Sequence, residues 1–365
     1  MTGPVATAAQ PAGGPEPAGT APPRLPGRRD AAPLATALGV AVAGCVLLAV
    51  LDGSYLGSTI TIGLGYAIVT TGMVLQLGYS RQLAFSQSVF MGVGAYGTGL
   101  LETRAGFSSA ESLLAVIAIA AIAAVVTGSV VTRAPGLALA LATLLLPLFV
   151  YQLATDSSWL GSFSGINGVL PLWNGATYQA ELVRSGIVAV ALLAAATALV
   201  LRIMRSGAGL QLMAMAADER LGQSIGVSLR QRRLEVFVVG SVLAAVGGAV
   251  LASTQGLVNP DVLSETTQIT LLIMLFVPGR RSVIAAIIGA IVIQYLTTAA
   301  SWISTNLPTI EGVVLIIVLL AEPDGVAGAL SRLLGRRADR WGGPLRERAA
   351  RLRAGGGWRR AGQSA

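Results

Sequence analysis

Ten apolar segments follow one another along this chain, at about residues 34–51, 57–77, 83–101, 112–131, 136–155, 184–203, 234–254, 266–277, 282–302 and 309–321. Most reach the ~20 residues that a helix needs to cross the hydrocarbon core of a bilayer. In lipid, backbone N–H and C=O groups must be paired inside the segment, so each run is read as an α-helix. Only 12% of the residues are charged, about half the ~25% of a soluble domain. The expected fold is an all-α polytopic membrane protein of about ten transmembrane helices. The eighth and tenth segments are short, and are expected to be tilted, broken or partly buried in protein.

Arginine sets the orientation, because cytoplasmic loops retain positive charge. With both termini in the cytoplasm, the inner segments are 1–33, 78–82, 132–135, 204–233, 278–281 and 322–365. With Arg202 counted at its adjoining loop, they hold 23 of the 25 basic residues. Only Arg104 and Arg184 fall outside, whereas Asp52, Glu102, Glu111, Asp156, Glu181, Asp261 and Glu265 all do. A wrong span count would scramble this separation. The pI near 10.5 therefore reflects charge facing anionic lipid headgroups and cytosolic partners, and no nucleic acid is expected.

Three domains are read. Residues 1–33 are rich in Pro, Ala and Gly and are expected to be a disordered cytoplasmic segment. Arg24, Arg28 and Arg29 before the first apolar run resemble a signal peptide, but the run is too long and lacks a cleavage site, so an uncleaved span is expected. Residues 34–330 form the transmembrane domain. Residues 331–365 carry ten arginines and no long apolar run, and are read as a basic cytoplasmic tail.

Absences exclude whole classes of chemistry. The chain has no histidine and no lysine, hence no imidazole metal site, no histidine base and no Walker A motif. Cys45 is the single cysteine, so no intrachain disulfide forms. No nucleophile–base or metal constellation is present, and no catalytic residue, cofactor or metal is expected. Carboxylates are missing from mid-span positions, where proton-driven carriers usually place them.

Small residues recur at spacings of three and four. Ala84, Ser88, Gly92, Ala95 and Gly99 share one face of the third segment, and Gly240, Ala244, Gly248 and Ala252 one face of the seventh. Such faces let helices approach closely in lipid. Of these, Ser88, Gly92, Ala95, Gly240, Ala244 and Gly248 are assigned to helix packing. Polar residues at depth include Gln76, Ser86, Gln87, Thr143, Gln152 and Gln294. Helix–helix hydrogen bonding is one role for them. A polar path through the bundle, lined by Gln82, Ser86, Gln87, Thr143 and Gln152, is the other.

One long loop separates the sixth and seventh segments, and Leu210, Leu212, Met213, Met215 and the later Leu221 and Ile225 in it have the pattern of a short amphipathic helix before Gly226. Asp218 and Glu219 lie at its centre, flanked by arginines. It is either an inert connector or a helix that docks on a separate ATPase.

Four blocks together give the chain a family resemblance over roughly residues 55–335. GYSRQLAFSQSVFMGVGAY, 78–96, is similar to a Gly-Tyr-x-Gly-Gln-Leu-Ser block that continues to Phe-x-Gly-x-Gly-Ala-Tyr. SGINGV, 164–169, is similar to a glycine-rich external segment. The loop through GSVLAAVGGAVLAS keeps Gly209, Ala214, Glu219 and Gly226 in matching places, and EGVVLIIVLLAEPDGVAG, 311–328, resembles a closing helix and Pro-x-Gly turn. In this order they resemble the permease subunits of branched-chain amino acid ABC importers, a family that also covers urea and other amides. There are departures: Ser86-Gln87 stands where Gly-His or Gly-Gln is common, Met213, Ala216 and Ala217 replace charged docking residues, and Pro278-Gly279-Arg280-Arg281-Ser282 replaces a glycine-rich turn.

The resemblance implies a bacterial cell-membrane subunit that is not itself an enzyme. It implies two ATPase subunits, a second permease and an extracytoplasmic binding protein that supplies most of the specificity. Docking on the ATPase would involve Ala214, Asp218, Glu219, Gly222 and Gly226. The alternative is an ion-coupled secondary carrier of small polar solutes, which would show internal inverted repeats and mid-membrane ions.

Overall fold

Helix formation follows the apolar runs, with glycine and small polar residues setting the ends. The computed structural model describes residues 55–82, 84–133, 136–173, 178–217 and 228–299, with isolated helical positions between 36 and 44 and between 309 and 313. The expected spans at 34–51 and 309–321 lie largely outside the described residues, and so do the terminal segments.

The elements in chain order are α1 (Tyr55–Met73), continued by a π-helical turn at Val74–Tyr79, then α2 (Gln87–Ala105), α3 (Ser109–Val131) and α4 (Gly136–Asp156). After β1 (Ile166–Asn167) come α5 (Tyr178–Arg205), α6 (Gly207–Ala217) and α7 (Leu229–Gln255). β2 (Leu257–Val258), α8 (Glu265–Phe276) and α9 (Val283–Ala299) follow. Gly106 and Gly256, both at φ +69°, close α2 and α7 in the left-handed conformation that glycine adopts without a Cβ clash. Ser108 and Glu111 form a capping box at the start of α3. Among the described residues, the α1–π-turn run and α3, α5 and α7 are long and apolar enough to cross a bilayer.

α7 is the central helix, packed against α1, α2 and α3. Its approach to α2 requires glycine on both sides. A Cβ on Gly94 would fall on the Ala245 carbonyl, and one on Gly248 would fall on the Met91 carbonyl. The Phe90 and Phe237 rings close the same contact edge to face, with centroids 5.5 Å apart. The outer helices instead turn apolar side chains outward: Ile122 and Val126 on α3, Leu145 and Phe149 on α4, Ile288 and Val292 on α9. Such a surface belongs in lipid.

One end of the bundle is tied by a two-stranded ladder, with Ile166 opposite Val258 and Asn167 opposite Leu257. At the same end the Glu102 carboxylate accepts hydrogen bonds from Ser112 Oγ and Leu170 N–H, both at 2.7 Å. Arg104 donates to the Trp159 carbonyl at 2.6 Å and lies over its ring. Away from this end, a Cβ on Gly78 would fall on the Arg280 carbonyl, and Tyr79 Oη donates to the Arg281 carbonyl at 3.0 Å.

The 12-residue α8 is too short to cross a bilayer alone. The 3₁₀ turn Pro260–Leu263 precedes it and lies along α2, with Leu263 seated over Gly92. α8 therefore starts part-way down the bundle rather than at its surface.

Candidate functional site

The sequence reading starts the third helix at Leu83, whereas α2 starts at Gln87. The difference lies in the residues before it. α1 ends in a wide turn in which Ser80 N–H donates to the Leu75 carbonyl at 3.1 Å, the spacing of a π-helix. Ser80 Oγ and Gln82 N–H both donate to the Gln76 carbonyl, at 2.7 and 3.0 Å. These bonds end the helix and turn the chain, with Arg81 at φ +50°. Buried, non-helical backbone follows, and its N–H groups need partners. Ala84 N–H donates to the Gln82 carbonyl at 2.9 Å, and Phe85 N–H to Thr143 Oγ1 of α4 at 3.0 Å.

Around this break the glutamines converge from distant parts of the chain. Gln76 Nε2 donates to the Phe237 carbonyl of α7 at 3.1 Å. Gly240 makes that approach possible, because a Cβ there would fall on the Gln76 amide. Gln87 Nε2 in turn donates to Gln76 Oε1. From α8, Gln268 Oε1 accepts from Ser88 N–H at 2.9 Å, capping the otherwise unsatisfied first turn of α2.

Several atoms of this cluster are left over. Gln82 Nε2 and Oε1, Ser86 Oγ, Gln87 Oε1, Ser88 Oγ and Gln268 Nε2 are buried and have no hydrogen-bond partner among the described residues. Gln82 and Gln268 are each only 3% exposed. An unpaired buried polar atom costs about 1–3 kcal/mol. The cluster therefore favours a guest or water that offers both donors and acceptors, and it carries no charged side chain of its own. The partial positive end of the α2 dipole adds a weak preference for oxygen.

Of the residues expected on a polar path, Gln82, Ser86, Gln87 and Thr143 meet at this break. Gln152 does not: it is exposed on α4, where its amide donates to both carboxylate oxygens of Asp156 at 3.1 Å. The packing residues Ser88, Gly92, Ala95, Gly240, Ala244 and Gly248 are all buried. Of the docking residues, Ala214 is half-buried on α6, whose Leu212 and Met215 face the bundle. Asp218, Glu219, Gly222 and Gly226 lie outside the described residues. Sequence reasoning missed Gln268. Its signal is the polar run SETTQIT, 264–270, at the start of an eighth segment too short to span.

A buried polar seam thus runs inside a bundle of apolar helices. The chain belongs to the family described as the permease component of branched-chain amino acid transport systems, whose family model matches residues 55–322. It is therefore a multi-pass membrane permease and not an enzyme. It is similar to the high-affinity branched-chain amino acid transport system permease protein LivM of Escherichia coli (strain K12), with 22% identity over 292 residues, covering 73% of this chain and 68% of the relative. No solved structure matches the chain.

Proposed function

We propose that the chain is the membrane-spanning subunit of an ATP-driven importer in a bacterial cell membrane, and that it moves a small amino acid of branched-chain type or a small amide. The family match over residues 55–322 carries this reading. A second permease, two ATPase subunits and an extracytoplasmic binding protein complete the assembly. The unpartnered amides and hydroxyls at Gln82, Ser86, Gln87 and Gln268 form a polar station on the path, with Thr143 beside them. Alternating access would open this station to either side in turn.

The proposed topology has ten spans with both termini in the cytoplasm. Two observations support it. The segments assigned outside by arginine count, around Glu102, Trp159 and Leu257, contact one another. Two segments assigned inside, at 78–81 and 280–281, contact each other as well. The helix α6 leads into the part of the long loop proposed to dock on the ATPase.

The test is uptake in proteoliposomes containing the chain with its partner subunits, against leucine, isoleucine, valine, urea and short amides. ATP-dependent accumulation is expected. Uptake by this chain alone, driven by an ion gradient, would sink the reading. Within the same assay, Glu219→Arg is expected to abolish transport while ATP hydrolysis continues. Unchanged ATP-driven uptake would remove Glu219 from the docking surface.

A further inference from the structure

Two arginine-bearing turns meet at one end of the bundle. The first follows α1 and carries Arg81, which is exposed. The second, Pro278-Gly279-Arg280-Arg281-Ser282, joins α8 to α9. Both depart from the family's blocks toward arginine, at a glycine position in the first and in a glycine-rich turn in the second. The two departures are neighbours in space. A Cβ on Gly78 would fall on the Arg280 carbonyl, and Tyr79 Oη donates to the Arg281 carbonyl at 3.0 Å. The Arg281 guanidinium is within electrostatic reach of the Tyr79 phenol.

The second turn has a fixed backbone. Gly279 adopts φ +133°, and Ser282 N–H donates to the Gly279 carbonyl at 3.2 Å. Ser282 Oγ then accepts from Ala285 N–H at 3.2 Å and starts α9. Arg280 is half-buried on this turn and Arg281 is exposed. Charge at this end of the bundle is one-sided. The described residues there hold nine arginines and one carboxylate, Glu235, which pairs with Arg232 at 2.6 Å.

An independent observation says what kind of anion fits. Arg281 heads an apolar stripe that runs down α9. Ile284, Ile288 and Val292 recur at every fourth residue and are 48%, 57% and 50% exposed, and Tyr295 continues the line. From Ile284 to Tyr295 the helix rises about 17 Å, close to half of the ~30 Å hydrocarbon core. A cationic head above an apolar stripe one leaflet deep has the shape and polarity of a single phospholipid. A free phosphate ion would use the arginines and leave the stripe untouched.

We propose that the start of α9 is a binding site for one anionic phospholipid. Arg280 and Arg281 hold its phosphate, Arg81 adds charge from the neighbouring turn, and the acyl chains lie along Ile284, Ile288 and Val292. Guanidinium groups suit this ligand, because their planar fork matches phosphate oxygens. A headgroup of net negative charge is favoured over a zwitterionic one, whose own cation is repelled by the arginines. The site requires only that the chain sit in a bilayer, and it does not depend on the import reading above.

The test is lipid binding to the purified full chain in neutral detergent, read by native mass spectrometry. The probes are phosphatidylglycerol, phosphatidylcholine with the same acyl chains, and glycerol 1-phosphate. Phosphatidylglycerol is expected to bind at least ~10-fold more tightly than phosphatidylcholine. Glycerol 1-phosphate lacks the acyl chains and is expected not to displace it at equal concentration. Arg281→Gln should weaken phosphatidylglycerol by about 10-fold, and the double variant Arg280→Gln, Arg281→Gln by about 100-fold. Ile288→Gln, which leaves the arginines in place, should weaken it by about 3- to 10-fold. Arg133→Gln is the matched control. Arg133 also ends an exposed apolar stripe, Ile122, Val126 and Val130 on α3, but as a single arginine. Its loss should leave the tightest phosphatidylglycerol site unchanged. Equal affinity for the two lipids, full displacement by glycerol 1-phosphate, an unchanged tightest site in the double variant, or an equal loss in Arg133→Gln would each overturn the proposal. A photo-crosslinker at position 288 that captures a second permease in membranes instead of lipid would overturn it as well, because the stripe would then be a protein interface.

Discussion

Arg81 is one of two described non-glycine residues held at positive φ. It sits at φ +50°, in the left-handed region where an L side chain crowds the carbonyl. The family's Gly-Tyr-x-Gly-Gln-Leu-Ser block has glycine at that position, so the conformation belongs to the turn rather than to arginine. Arg81→Gly is expected to raise stability by about 1 kcal/mol, read as a higher Tm in detergent. A glycine that packs against backbone behaves oppositely. In Gly94→Ala the new methyl meets the Ala245 carbonyl, and overpacking of this kind costs about 1–3 kcal/mol. Gly207→Ala is the control, because no atom lies within 4 Å of its Cβ position. It should leave Tm unchanged or slightly raised. The small-residue face through Gly92 and Gly99 was legible from spacing alone. Gly94 was not, because it lies off that face. Leu263, Ala245 and Val116 approach Gly92, Gly94 and Gly97 respectively. Close contact surrounds α2, and a one-face pattern describes only part of it.

At the scale of elements, the sequence marked most helices to within a few residues, because apolar length dominates that signal. It missed the break at Gln82–Ser86. Little in the local sequence announces that break, since Phe85 N–H is satisfied from far away by Thr143 on α4, and the first turn of α2 by Gln268 on α8. Alternation of polar and small residues through LAFSQS reads equally well as the start of a helix. The brevity of the eighth segment was legible, yet what the shortness achieves was not. By starting part-way down the bundle, α8 delivers Gln268 to the first turn of α2. The seam also depends on Gln76 as its hub, so Gln76→Leu removes a donor from the Phe237 carbonyl and an acceptor from Gln87. Leaving the buried Gln87 amide unpaired costs about 1–3 kcal/mol. The expected result is a lower Tm together with loss of uptake. Unaltered Tm would mean that water replaces the amide at no cost.

For the molecule as a whole, the arginine distribution makes an orientation testable residue by residue. In a Cys45→Ala background, a membrane-impermeant maleimide should label Arg104→Cys and Phe163→Cys on intact cells. Arg81→Cys and Arg205→Cys should react only after permeabilisation. The reverse pattern would invert the proposed topology. The ladder between β1 and β2 has its own consequence at this scale. Gly168 and Val169 N–H groups both donate to the Gly256 carbonyl, at 3.1 and 3.2 Å, beside the strand pairing. Trp159 and Phe163, on the same outer loop, are largely exposed. The loop and the descending 257–264 segment are thereby laced into one mechanical piece. A pull on the loop is a pull on the turn behind it. An antibody fragment gripping Trp159 and Phe163 would act as a remote handle on the start of α8, without entering the bundle.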